Sequence, residues 1–420
     1  MEKLCVTGGR KLFGKVEINS AKNAVLPLIS ASIITEGKTI IRNCPKISDV
    51  LVMIEIIEKL GGNASFYGRD LYIDTSGVND YILPFALTGK IRASLFTVGA
   101  LISRFGMAET AMPGGCKIGD RPIDIHIDAM RALGVKVYDG DRITFRKGGD
   151  LHGKVILKYP SVGATENAIM ASVIGGDTVV ISNAAREPEI VDLQNYLNMV
   201  GAKIYGAGTG EITVRGVSAL NKGEIVFEPI YDRIEVGTMM FAGAACGGEL
   251  AFDDIGVANS FSFMKIFDNN ACKIYCENDK IKVVEFMGRL KGFGMVKASP
   301  FPGFPTDLQP QLVAAACFAD GLTVVKDNVF KNRFGYTDEL IKSGACIERF
   351  DGACVVSGAE KLSGSKFVAE DLRGGAALII AALGAEGKSE ITGLKNIDRG
   401  YENIELKLKG LGADIERINF

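Results

Sequence analysis

The chain has 420 residues, 48 basic against 50 acidic side chains, two histidines and a formal net charge of -2. Such a length exceeds what one hydrophobic core accommodates and predicts two domains. The near-neutral balance excludes attachment to nucleic acid or anionic lipid by bulk field, so an anionic ligand must be met by local clusters.

Nine widely spaced cysteines, an odd number, read as reduced thiols of a cytoplasmic protein rather than a disulfide framework. Residues 1–9 carry no apolar stretch of export-signal length, and apolar runs such as 376–385 are too short to span a bilayer.

Residues 9–15 have the glycine and lysine spacing of a phosphate loop, but Val16 occupies the hydroxyl position and Val16-Glu17-Ile18 alternates as a strand. Beyond it, a nearly all-apolar helix is predicted at 21–35, and similar ones follow at about 91–104, 162–175, 233–246, 307–319 and 373–385. Helices apolar on every side are buried ones. Each runs into a turn and a strand, then an amphipathic helix ending at a small-residue mark, then two closing strands. The marks are Gly61, Gly134, Gly201, Asn270, Gly344 and Gly412, at intervals of 73, 67, 69, 74 and 68 residues. A period near one sixth of the chain means a repeated helix-strand-helix-strand-strand unit, three copies on each side of Glu228-Pro229-Ile230. The predicted fold class is therefore α/β, two similar domains with apolar helices inside and sheets outside.

Within the second copy, Pro113-Gly114-Gly115-Cys116-Lys117-Ile118-Gly119-Asp120-Arg121-Pro122 is kept out of helix and strand by glycine and proline, and it sets a thiol beside two cations. Neighbouring positive charge favours the thiolate, whose free pKa is about 8.5. Gly206-Ala207-Gly208-Thr209-Gly210 lacks the spacing and following helix of a dinucleotide site and reads as a hairpin. Cys272, Cys276, Cys346 and Cys354 fall on predicted strands, and with only His126 and His152 to join them they make no zinc site. Cys246 and Cys317 read as core residues.

Polar residues gather at the starts of the buried helices: Ser20, Lys22 and Asn23; Lys90 and Arg92; Ser161, Gly163 and Thr165; Asp232, Arg233 and Glu235; Thr306 and Asp307; Asp371 and Arg373. Helix N-termini favour anions. Capping explains Ser20, Ser161 and Thr306. It does not explain lysine and arginine, whose charge there calls for a bound anion. Helices running the same way in each domain would set these ends on two faces of an anion-binding cleft.

Seven separated segments in order resemble the UDP-N-acetylglucosamine enolpyruvyl transferases of the enolpyruvyl transferase family. They are Ala21-Lys22-Asn23-Ala24, Ile91-Arg92-Ala93-Ser94, the loop of Cys116, Ser161-Val162-Gly163-Ala164-Thr165, Phe304-Pro305-Thr306-Asp307, Asp371-Leu372-Arg373, and Ile397-Asp398-Arg399-Gly400-Tyr401-Glu402. The resemblance runs nearly end to end. It implies two inverse α/β domains, one of residues 1–21 with 230–420 carrying the candidate base and C-terminal arginines, the other of residues 22–229 carrying the cysteine loop. The implied reaction moves the enolpyruvyl group of phosphoenolpyruvate to the sugar 3-hydroxyl of UDP-N-acetylglucosamine and releases phosphate, the first committed step of peptidoglycan synthesis. No metal or cofactor is implied, and the partners are the two substrates.

By the same resemblance Cys116 is the general acid and Asp307 the base, with Lys22 and Arg399 also catalytic. Lys22, Asn23, Arg121 and Arg399 hold phosphoenolpyruvate, with Arg92 and Arg373 nearby. Asn23, Arg92, Arg121, Pro122, Ser161, Val162, Gly163, Asp307 and Val329 hold the nucleotide sugar. His126 reads as a structural residue anchoring the loop, whose glycines suit a lid. Three departures from the family pattern stand out: Asn19-Ser20 at the hinge, Tyr159-Pro160 before the diphosphate segment, and Arg373-Gly374-Gly375, which reads as a flexible helix start. The altered hinge leaves a non-catalytic nucleotide-sugar-binding paralogue as one alternative. Shikimate-pathway enolpyruvyl transfer, which does not use the cysteine loop, is the other.

Overall fold

The computed structural model describes residues 2–111, 123–268 and 270–419, the side chain of Asp254 excepted. The described chain forms two compact units, one of residues 2–18 with 231–419 and one of residues 19–111 with 123–230.

Six apolar helices form the interiors. The second unit holds α1 (Lys22–Thr35), α2 (Phe96–Phe105) and α3 (Val162–Ala171). The first holds α4 (Arg233–Cys246), α5 (Gln309–Ala316) and α6 (Leu372–Gly384). With no polar stripe to give to water, they bury nearly every side: α1 is buried from Ala24 through Thr35 and α6 from Leu372 through Leu383. Within each unit the three helices pack on one another, and three sheets close around them.

The sheets share one plan. In Glu224–Phe227, Lys38–Ile41, Asp70–Asp74 and Asn63–Tyr67, the first pair is parallel and the next two antiparallel. Five sheets have this four-stranded order. The sixth, Met107–Thr110, Ile143–Lys147 and Val135–Tyr138, keeps three strands and a bridge from Ile82 to Glu109 where the parallel strand stands elsewhere. The sequence unit is thus present with one addition, a parallel strand supplied by the connecting segment.

The sixth copy also departs from contiguity. Only Asp414–Asn419 follows its mark, and the missing strand is Glu2–Thr7, where Leu4 stands opposite both Ile391 and Arg417. Alternation places Leu4 and Val6 in the core of that unit.

Several boundaries differ from the periodic reading. Residues 92–95 and 306–308 form 3-10 turns ahead of α2 and α5, and α3 and α5 stop at Ala171 and Ala316, short of the predicted 175 and 319. Leu12–Val16 is a strand, and residues 206–210 join the paired strands Lys203–Tyr205 and Glu211–Arg215. Gly206 has φ +91, and a Cβ there would meet the Glu211 carbonyl at 2.3 Å, so the tight hairpin requires glycine. No described helix is long and apolar enough to cross a membrane.

Candidate functional site

In the first unit, Pro305 enters the turn Thr306–Leu308 in an extended conformation that its ring favours, and the turn sets Asp307 at the start of α5. Two guanidinium groups hold the Asp307 carboxylate. Arg333 Nη1 donates to Oδ1 at 2.8 Å, while Arg373 Nε and Nη2 donate to Oδ2 at 3.2 and 3.0 Å. Both arginines are buried, and the Asp307 side chain is 26% exposed.

Arg373 itself is fixed from behind. Asp371 caps α6, its Oδ1 accepting the Arg373 and Gly374 N–H groups at 3.0 and 2.9 Å. The guanidinium lies 5.3 Å from the centre of the Tyr401 ring, and Tyr401 Oη meets Thr238 Oγ1 at 2.8 Å and accepts from Gln311 Nε2 at 3.1 Å. The two glycines after Arg373 give close packing rather than the flexibility their sequence suggests. A Cβ on Gly374 would meet Asp371 Oδ2 at 2.4 Å, and one on Gly375 would meet Ile397 Cγ1 at 2.5 Å.

Thr306 is not the helix cap its position predicts. Its hydroxyl donates to Asp327 Oδ2 at 2.6 Å and accepts from Arg333 Nη1 at 3.1 Å. The other oxygen of buried Asp327 accepts the N–H groups of Val329 and Phe330 at 2.8 and 2.9 Å, forming the turn that carries Val329. Arg399 stands half-exposed in the turn after the helix Leu394–Ile397. Its neighbour Asp398 receives two N–H groups of Arg417 at 3.0 and 2.7 Å, and Arg417 Nε also reaches Glu405 at 2.8 Å.

In the second unit Lys22 opens α1, where its charge opposes the helix dipole. The anion that offsets it is internal: Nζ lies 2.8 Å from Asp49 Oδ2, both side chains being buried. Asn23 follows, half-buried, and Arg92 opens the 3-10 turn before α2, also half-buried. Ser20, predicted to cap α1, instead donates to the Arg42 carbonyl at 3.1 Å. Asn19 accepts from Arg69 Nη2 at 2.6 Å, so both residues of the altered hinge segment have partners in this unit.

Ser161 does cap α3, its Oγ accepting the Ala164 N–H at 3.4 Å, and Val162 and Gly163 form the first turn. Beneath that turn lies His126. Its Nδ1 is 2.9 Å from Asn167 Nδ2, which also donates to the Leu95 carbonyl at 2.9 Å, while Asn167 Oδ1 accepts the Gly99 N–H at 2.8 Å. An amide nitrogen donates, so this network assigns the acceptor role to Nδ1 and the ring proton to Nε2. One turn along α3, fully buried Glu166 has no hydrogen-bond partner among the described residues on either carboxyl oxygen. Burial, then the nearby Glu189 and Glu187 charges, pushes its pKa well above the ordinary range.

The structure thus brings Asp307, Arg373 and Val329 into one hydrogen-bonded neighbourhood in the first unit, with Arg333 and Asp327 added. In the second unit Lys22, Asn23, Arg92, Ser161, Val162 and Gly163 stand at the starts of interior helices or of the turns that lead into them. Cys116, Arg121 and Pro122 lie outside the described residues. Among the described residues, no cluster of histidine, cysteine and carboxylate suited to a metal ion occurs.

A model of the EPSP synthase (3-phosphoshikimate 1-carboxyvinyltransferase) family matches residues 6–408. The UDP-N-acetylglucosamine 1-carboxyvinyltransferase 2 of Caldanaerobacter subterraneus subsp. tengcongensis is 44% identical over 419 residues, covering 100% of both chains. The enzyme of the same name from Clostridium tetani is 42% identical over 422 residues, again covering 100% of both chains. Among solved structures, the enolpyruvyl transferase NikO from Streptomyces tendae superposes with a TM-score of 0.87 at 24% identity, over 99% of this chain and 98% of that one. EPSP synthase from Acinetobacter baumannii gives 0.73 at 16% identity over 100% of each chain. At such identities the structures establish the shared fold. The family match and the full-length relatives establish descent: the chain belongs to the enolpyruvyl transferase family, alongside members named UDP-N-acetylglucosamine 1-carboxyvinyltransferase.

Proposed function

We propose that this chain adds the enolpyruvyl group of phosphoenolpyruvate to the 3-hydroxyl of the sugar in UDP-N-acetylglucosamine and releases inorganic phosphate. The carrying observation is 44% identity along the whole chain to a relative bearing that activity in its name. The Asp307 cluster supplies chemistry that the reaction needs.

Adding an alcohol across the double bond forms an oxygen to C2 bond, requires a proton at C3 and removes one from the hydroxyl. Expulsion of phosphate with loss of a C3 proton then restores the double bond. Two groups of separated proton affinity serve this best. Asp307, its carboxylate paired with two guanidinium groups and its side chain 26% exposed, is the group assigned to the hydroxyl proton. Cys116 is assigned to C3. Lys22, Arg92, Arg121, Arg373 and Arg399 supply cations for phosphate and carboxylate, arginine because its planar fork binds oxyanions bidentately. The N-terminus of α3, with Ser161, Val162 and Gly163, is assigned to the diphosphate.

We assign the cysteine loop to the same domain as these helix starts, and Asp307 and the C-terminal arginines to the other. Nine dispersed cysteines support a cytoplasmic location. Purified protein mixed with phosphoenolpyruvate and UDP-N-acetylglucosamine should release phosphate and give a product of the mass of the enolpyruvyl ether. Folded protein that binds the nucleotide sugar without turnover would establish the paralogue instead, and phosphate released only with shikimate 3-phosphate would establish the other enolpyruvyl transfer.

A further inference from the structure

We infer that Arg333 is a positioning residue for the reaction, one that sets the orientation and proton affinity of Asp307, and that Thr306 and Asp327 hold Arg333 to that task. The inference rests on Asp307 being the base.

Arg333 lies outside every motif of the sequence, in the irregular segment before the helix Thr337–Ile341, and is 5% exposed. Arginine carries five N–H donors in a fixed fork and no acceptor. Here Nη1 goes to Asp307 Oδ1 at 2.8 Å and to Thr306 Oγ1 at 3.1 Å, neighbouring residues of one 3-10 turn, while the buried Nε has no partner among the described residues. Its placement therefore follows the carboxylate at the cost of a hydrogen bond elsewhere. Together with Arg373 on Oδ2 it fixes both oxygens, so Asp307 cannot rotate about its terminal bond without breaking charged hydrogen bonds on both sides.

Behind this stands a single carboxylate with divided duties. Asp327 Oδ2 accepts the Thr306 hydroxyl proton at 2.6 Å, which turns a lone pair of that hydroxyl toward Arg333. Asp327 Oδ1 holds the Val329 and Phe330 N–H groups, and the Phe330 ring lies 5.6 Å from the Arg333 guanidinium carbon. One buried side chain thus anchors the turn of Val329, assigned to the nucleotide sugar, and the base assigned to the same sugar's hydroxyl. Contact with substrate at that turn and alignment of the base share an anchor.

The electrostatic consequence has a definite sign. A cation beside a carboxylate favours its ionised form, so removing Arg333 makes Asp307 easier to protonate. Activity that needs ionised Asp307 then fails at a higher pH. The test compares Arg333→Gln, Arg333→Lys, Thr306→Val and Asp307→Asn in the full chain, with kcat, KM for each substrate, the pH dependence of kcat/KM, and thermal unfolding.

Arg333→Gln is expected to lower kcat about 10- to 100-fold, the scale of a misaligned catalytic group. KM should stay within about 3-fold, and the acidic limb of the pH profile should move up by about one unit. Arg333→Lys keeps a cation but loses the fork, so kcat should fall while the limb stays. Thr306→Val, which leaves both charges in place, should lower kcat by a smaller factor. A purely structural Arg333 would change unfolding temperature without moving the limb, and that result, or unchanged kcat in Arg333→Gln, overturns the inference. Wild-type turnover by Asp307→Asn overturns the base assignment itself, whereas an inactive Asp307→Asn beside an unaffected Arg333→Gln removes only the role of Arg333.

Discussion

Lysine or arginine in the first turn of a helix stands at the positive end of the dipole, and an anion beside it offsets that unfavourable placement. The sequence shows the cations, and its physics asks for the anion without saying whose it is. For Lys22 it is Asp49, 27 residues away, and for Arg373 it is Asp307, 66 residues away. Lys22, Asp307, Arg373 and Ser161 were legible because helix starts are punctuated by proline, glycine and capping residues. Asp49, Asp327, Arg333 and Arg417 were not, because nothing in local pattern marks a side chain whose partner sits on another segment of the fold. Cys116, outside the described residues, is singled out in the sequence by glycine, proline and neighbouring charge. Replacing it by serine substitutes an alcohol, a far poorer acid, at the position assigned to C3 protonation. Cys116→Ser should lose turnover at neutral pH and retain UDP-N-acetylglucosamine binding. Calorimetry beside a phosphate-release assay checks both, and turnover within a few-fold of wild type would remove the thiol from the mechanism.

At the scale of elements, apolar periodicity exposed the six interior helices, and regular spacing exposed the repeat. The hidden parts were those that cross repeats. The closing strand of the last copy comes from residues 2–7, and parallel edge strands such as Glu224–Phe227 come from connections that the periodic pattern leaves unassigned. Close helix packing was misread in one place, since Gly374-Gly375 looks mobile in sequence yet leaves no room for a Cβ. The same crowding occurs at the start of α3, where a Cβ on Gly163 would meet His126 Cε1 at 2.9 Å and Phe96 Cε1 at 3.1 Å. Gly163→Ala therefore forces the His126 ring against its bond to Asn167. The expected cost is about 1–3 kcal/mol of stability, with weaker nucleotide-sugar binding as the helix start shifts. Because His126→Ala empties the space in question, the alanine at 163 should cost less in that background, and a double-mutant cycle read by thermal unfolding measures the difference. Additive effects would mean that the ring is not what the Cβ meets.

For the molecule as a whole, the buried acids of the second unit give stability a pH dependence that no surface count predicts. Asp192 is 5% exposed in the helix Pro188–Met199, and its Oδ2 accepts the Ile230 N–H at 2.7 Å. Burial raises its pKa to about 7 against an ordinary 3.8, the Ile230 bond opposing the rise and the Glu189 charge adding to it. Below pH 3.8 the group is protonated folded or unfolded and costs nothing. As pH rises toward about 7 only the unfolded chain releases the proton, so stability falls across that window and levels off above it. A shift of this size corresponds to at most about 4 kcal/mol by linkage. Fully buried Glu166 adds to the loss in the same direction, its carboxyl also raised. Asn at position 192 keeps an oxygen for the Ile230 N–H and has no proton to lose. Asp192→Asn should therefore unfold at a higher temperature than wild type at pH 8 and match it near pH 4, so the two curves converge on acidification. Parallel curves across that range would show that Asp192 ionises in the folded protein much as it does in the unfolded chain.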